Sequence, residues 1–116
     1  MIPKDKIALQ DLWENGNKFY PDRIKFCIDR KQKTISIDEE MHIDMENELY
    51  DNGSSPQDIF GGDIVIDDYN SLKTHIVWEA HPNIERNREL GTGYGRPITD
   101  QTLIDELFQI LTSWVI

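Results

Sequence analysis

Between Arg23 and Ile37 the side chains alternate in character with a period of two, and few features restrict a fold more. Ile24, Phe26 and Ile28 alternate with Lys25, Cys27 and Asp29. After the polar stretch Arg30-Lys31-Gln32-Lys33, the run Thr34-Ile35-Ser36-Ile37 alternates again. Period two belongs to a pleated strand, so these residues predict an antiparallel hairpin with one apolar face that has to be covered. Two further runs, residues 62–67 and 74–80, flank the polar turn Asp68-Tyr69-Asn70-Ser71 and predict a second hairpin.

The cover comes from segments with helical spacing. From Lys4 to Asn15, the residues Ile7, Ala8, Leu9, Leu12 and Trp13 share a side, and Gly16-Asn17 is a stop. From Asp38 to Tyr50, the residues Met41, Met45 and Leu49 recur every fourth position beside a stripe of Glu40, Asp44 and Glu48. Asp38 and the acids after it suit the positive end of a helix dipole. An extended reading of the same segment would instead put His42, Asp44 and Glu46 on one face. The last stretch, capped by Thr99 or Asp100, lines up Leu103, Ile104, Leu107, Phe108, Leu111, Trp114 and Val115. The expected architecture is a single α+β domain over residues 1–116. It has a mostly antiparallel four-stranded sheet from two hairpins, with N-terminal, central and C-terminal helices packed on one face of it. Trp13, Trp78 and Trp114 are expected to fill the core.

With 38% hydrophobic residues among 116, the chain has enough apolar material for one core, and no linker-like stretch divides it. The opening Met1-Ile2-Pro3-Lys4-Asp5-Lys6 lacks the apolar centre of a signal peptide. No run approaches the roughly 18 apolar residues of a membrane span, so a cytoplasmic protein is expected. Cys27 is the one cysteine, which rules out an intrachain disulfide and reads as a small buried thiol. The net charge of −10 is concentrated: residues 38–68 carry eleven acids and no lysine or arginine, whereas residues 1–37 are net basic. Such a surface repels phosphate backbones, which disfavours direct nucleic-acid binding as the main activity.

Four acid-base residues, Glu40, His42, Asp44 and Glu46, form the densest candidate site. A histidine among carboxylates can titrate near neutrality or ligate a divalent metal, with His42, Asp44 and Glu46 as the candidate ligands. On a helix, however, His42 and Asp44 point to different sides, and the spacing matches no zinc or calcium signature. The loop Asn52-Gly53-Ser54-Ser55-Pro56 follows. Ser54 and Ser55 lack a nucleophile-elbow pattern, which argues against a hydrolase triad. The long segment 81–97 holds Gly91, Gly93 and Gly95 among Arg86, Arg88 and Arg96, a set able to face an anion but with neither P-loop nor dinucleotide spacing.

Ile24-Lys25 with Ile28-Asp29, the string Glu40-Met41-His42-Ile43-Asp44-Met45-Glu46, and Gly53-Ser54 with Asp58-Ile59-Phe60-Gly61 together resemble an uncharacterised prokaryotic family. That family is catalogued as domain of unknown function 5674. The resemblance runs to about Gly61. Pro56 stands where the family has Gln and Phe60 where it usually has Trp, and the family's Asn/Arg-Pro segment is matched only loosely by Ala80-His81-Pro82 and Asn87-Arg88. The resemblance implies a fold and a candidate patch that includes Gly53 and Ser54, but no reaction. Two functional readings follow from the residues. One is an accessory module, of the immunity, antitoxin or inhibitor kind, whose acids engage a basic protein partner or support self-association. The other is a small metal-dependent hydrolase or nuclease-like enzyme built on Glu40, His42, Asp44 and Glu46, with Arg88 or Arg96 holding an anionic substrate.

Overall fold

A computed structural model describes residues 1–79, 98 and 100–116. In chain order these form α1 (Leu9–Asn15), β1 (Arg23–Asp29), β2 (Thr34–Ile37), α2 (His42–Asp51), a 3-10 turn (Pro56–Asp58), β3 (Ile59–Asp68), β4 (Lys73–Glu79) and α3 (Gln101–Trp114). All strand pairs are antiparallel, in the order β2-β1-β3-β4, so the expected α+β sheet of two hairpins is present, joined through β1 and β3. β3 starts at Ile59 rather than Gly62, because Ile59, Phe60 and Gly61 pair with Asp29, Ile28 and Cys27 of a strand distant in sequence. No helix among the described residues is long and apolar enough to cross a membrane.

The pleat sorts the core into two layers. Ile24, Phe26 and Ile28 of β1, Ile35 and Ile37 of β2, and Phe60, Ile64 and Ile66 of β3 face Leu12 of α1 and Leu103, Leu107, Ile110 and Leu111 of α3. The opposite face carries Cys27 and Ile59, which bury Met45 and Leu49 of α2. The expectation of helices on one face is therefore corrected: α2 covers the other side, lying over β1 and β2. An amphipathic stripe demands a partner surface but does not say which face of a sheet supplies it. Each fully buried Ile, Leu or Phe contributes roughly 1.5–3 kcal/mol, so the layer under α1 and α3 dominates stability. The three tryptophans do not fill this core. They are half-buried at its margin, with Trp78 edge-on to Phe26 at 5.6 Å, Trp13 stacked on Tyr69 at 5.6 Å, and Trp114 Nε1 donating to the Lys33 carbonyl at 2.9 Å.

Two helices start later than their patterns suggest, each because a distant backbone group takes the residue first. α1 begins at Leu9, not Lys4, since Ile7 forms a parallel bridge with Val115. The Ile7 N–H donates to the Trp114 carbonyl at 2.7 Å and the Ile116 N–H to the Ile7 carbonyl at 2.9 Å. α2 begins at His42, not Asp38. Asp38 sits at φ +64° past the end of β2, its N–H donating to the Lys25 carbonyl at 3.0 Å and its carboxylate accepting from the Asn17 N–H at 2.9 Å. It staples the chain there rather than serving the α2 dipole. For α3 the expectation holds: Asp100 is the N-cap, accepting from the N–H groups of Thr102 and Leu103 at 3.0 and 3.2 Å.

In the middle of the sheet, Gly62 pairs with Phe26 on one side and Trp78 on the other. A Cβ there would lie 2.6 Å from Phe26 Cζ and 2.9 Å from the Val77 carbonyl oxygen, so the two aromatic rings can close over this strand only because the position is glycine.

Candidate functional site

α2 opens with Met41 extended as its cap, and the Asp44 carboxylate reaches back to accept the Met41 N–H at 3.2 Å. That start point decides which of the sequence candidates meet. His42 and Glu46, one turn apart, press against the sheet and are each 6% exposed. Asp44, on the solvent side, and Glu40, ahead of the helix, are exposed. The structure thus brings together two of the four, His42 and Glu46, and separates Glu40 and Asp44 from them.

What His42 does meet comes from the strands. Its Nε2 lies 3.0 Å from the Gly62 carbonyl and 3.4 Å from Asp63 Oδ1, while Nδ1 lies 3.6 Å from Glu79 Oε2. Asp63 is 1% exposed, and its other oxygen accepts from Arg23 Nη1 at 3.1 Å. Cys27, wholly buried, points its thiol at the His42 carbonyl, and Tyr50 donates to Glu46 Oε1 at 2.5 Å. Among the described residues, Glu46 Oε2 and Asp63 Oδ1 are buried without a hydrogen-bond partner.

The electrostatics follow from burial and pairing. Burial works against the charged form of His42. The Asp63 carboxylate, the Gly62 carbonyl and Glu79 outweigh it and hold the imidazole proton above its ordinary value. Burial likewise raises Asp63, yet contact with His42, then the charges of Lys25 and Arg23, leave its carboxyl below the usual range. Burial first and the neighbouring Glu46 second push the Cys27 thiol well up, so it is an inert packing group. Burial and Glu46 also push up the Tyr50 phenol. The arrangement holds a proton on an imidazole set between two carboxylates. Among the described residues, no group of three or more His, Cys, Asp or Glu is arranged to hold a metal ion.

Gly53 and Ser54 lie at the opposite end of α2. Gly53 has φ +90°, a conformation that favours glycine, and the Ser54 hydroxyl donates to the buried carboxylate of Asp29. Asp29 Oδ1 also accepts the N–H groups of Lys31 and Gln32 at 2.8 and 2.9 Å, so this corner ties the β1–β2 turn to the loop after α2. A recess of about 280 Å³ opens beside it, lined in part by Lys31, Gln32, Asn52 and Gly53. Arg86, Arg88, Arg96 and the glycines at 91, 93 and 95 lie outside the described residues. Sequence reasoning missed Asp63, Glu79 and Arg23. The legible signal was Asp63 itself, a charged residue in the middle of an apolar strand.

The model of the family described as "Protein of unknown function (DUF5674)" matches residues 1–113. The chain belongs to this family. The match extends past Gly61, where the resemblance in the sequence faded, and through most of α3. No curated protein and no solved structure matches the chain.

Proposed function

We propose that this protein is a non-enzymatic accessory module of the cytoplasm, a single domain that engages a basic protein partner through the solvent side of α2. The observation that supports this reading is an uncompensated row of acids. Glu40, Asp44 and Asp51 are exposed, and among the described residues none is ion-paired with a lysine or arginine. Asp51 ends the helix, where the dipole disfavours an anion, and the last turn holds no base. An exposed acid in that place costs on the order of 0.3 kcal/mol, which a cationic partner would reverse.

The acidic segment as a whole is less than the patch its sequence suggests. Asp38, Glu46 and Asp63 are buried, Glu39 and Glu48 are ion-paired with the N-terminal ammonium at 2.8 Å each, and Asp67 contacts His75 at 2.8 Å. Asp58 lies in the 3-10 turn and Asp68 ends β3, so the reading narrows to Glu40, just ahead of α2, with Asp44 and Asp51 on it. Of the four residues of the metal-dependent hydrolase alternative only His42 and Glu46 lie together, and Asp44, one of its three candidate ligands, faces away. The test is affinity capture from a lysate of the source organism, with the captured proteins identified by mass spectrometry. The wild type is expected to retain basic proteins that salt releases, and the triple variant Glu40→Gln, Asp44→Asn, Asp51→Asn to lose them. Equal retention by both proteins would overturn the proposal.

A further inference from the structure

Met1 is tied to the end of β2 from both sides of its backbone. Its carbonyl accepts the Ile37 N–H at 2.9 Å, and its α-ammonium donates to the Ile37 carbonyl at 2.9 Å. The same nitrogen donates to Ser36 Oγ at 3.1 Å and lies 2.8 Å from Glu39 Oε1 and 2.8 Å from Glu48 Oε2. Ser36 is wholly buried, and its hydroxyl donates in turn to Glu48 Oε2 at 3.0 Å. Burial works to raise the Glu48 carboxyl, yet the ammonium, followed by Glu39 and Ser36, holds it below the usual range. Acceptors from β2, from the link after it and from α2 thus converge on one nitrogen. Two of them carry negative charge, and a primary ammonium answers such a set because it brings three donors and a positive charge to a single atom.

We infer that this corner is an ammonium site filled by the protein's own α-amino group, and that Nα-acylation of Met1 unseats it. The inference stands apart from the basic-partner reading. An acyl thioester would supply the acyl group, with its thiol as the leaving group. One N–H bond gives way to an N–C bond and a second proton departs with the charge, so a neutral amide with a single N–H remains. One donor cannot serve the acceptors that three served, and the acyl carbonyl would have to lie against the carboxylates of Glu39 and Glu48. The acylated residue therefore leaves the corner, its pairing with Ile37 opens, and α2 loses this tie to β2.

The single cysteine makes the test direct. A synthetic thioester of residues 1–26, with its amine free or acetylated, is joined at Cys27 to residues 27–116 in denaturant, and the full chain is refolded. Acetylation is expected to lower Tm by about 4 °C and to shift the amide resonances of residues 36–39 and 48. In the variant Glu39→Gln, Glu48→Gln, where the charge attraction is absent, acetylation is expected to lower Tm by no more than about 1 °C. Equal Tm for the two wild-type chains, an equal loss in the variant, or unmoved resonances at residues 36–39 would each overturn the inference.

Discussion

Replacing Gly62 by alanine tests whether the sheet is closed by the two rings that flank it. The new methyl would meet Phe26 Cζ at 2.6 Å, Val77 O at 2.9 Å and Phe26 Cε1 at 3.1 Å. The ring can turn only against its edge contact with Trp78, and the carbonyl belongs to the β3–β4 ladder and cannot move cheaply. Overpacking of this kind costs about 1–3 kcal/mol. At about 4 °C per kcal/mol for a domain of this length, a 2 kcal/mol loss lowers Tm by about 8 °C. The substitution Phe26→Leu alone should cost about 1.5 kcal/mol. In the double variant the two losses should fall short of their sum by at least about 0.5 kcal/mol, since the smaller side chain makes room for the methyl. Urea denaturation of the four proteins measures the cycle. A Gly62→Ala variant as stable as the parent, or losses that simply add, would refute the close-approach argument.

Four further outcomes follow from the buried polar groups. Asp29→Ala removes the acceptor shared by Lys31, Gln32 and Ser54 and should cost about 3 kcal/mol; Ser54→Ala should cost about 1 kcal/mol, and equal losses in urea midpoint would contradict the network. Because His42 holds its proton above the ordinary value in the folded state, its contribution is complete below about pH 6.5 and lost as pH rises through the folded value. His42→Gln should flatten that decline in midpoint stability, and an unchanged alkaline slope would count against the cluster. Asp63 has the opposite sign: its contribution is present above about pH 4 and lost as pH falls, so Asp63→Asn should flatten the acid side. The Cys27 thiol, fully buried and shifted upward, should resist a disulfide-exchange reagent in buffer and react in urea; rapid labelling of the native protein would contradict its burial.

Local rules read the hairpins well, since alternation over residues 23–37 is written in adjacent side chains, and β1 and β2 fall on the expected bounds. They failed wherever a distant partner set the outcome. Ile7 carries a helical pattern yet bonds to Trp114 and Ile116, and Asp38 reads as a helix start yet anchors Asn17. The face covered by α2 was hidden for the same reason, although Cys27, an apolar residue on the supposedly polar side of β1, hinted at a second buried layer. At the site, the i, i+4 spacing of His42 and Glu46 was legible once a helix was granted. Glu79, on another strand, could not be linked to His42 without the sheet order. Spacing along one element reveals what shares a face of that element; it is silent about which strand passes beneath.

The bridge between Ile7 and Val115 has a consequence for how the chain is made. Ribosomal synthesis delivers the two hairpins and α2 long before residue 115, so sheet pairing can begin while Ile7 and Leu9 still lack their partners Trp114 and Ile116. Their N–H groups and the Ile7 carbonyl stay solvated until residues 114–116 emerge. A fusion that holds Val115 and Ile116 away from Ile7 would be expected to loosen the chain around Ile7 and Leu9 while Met1 stays bonded to Ile37.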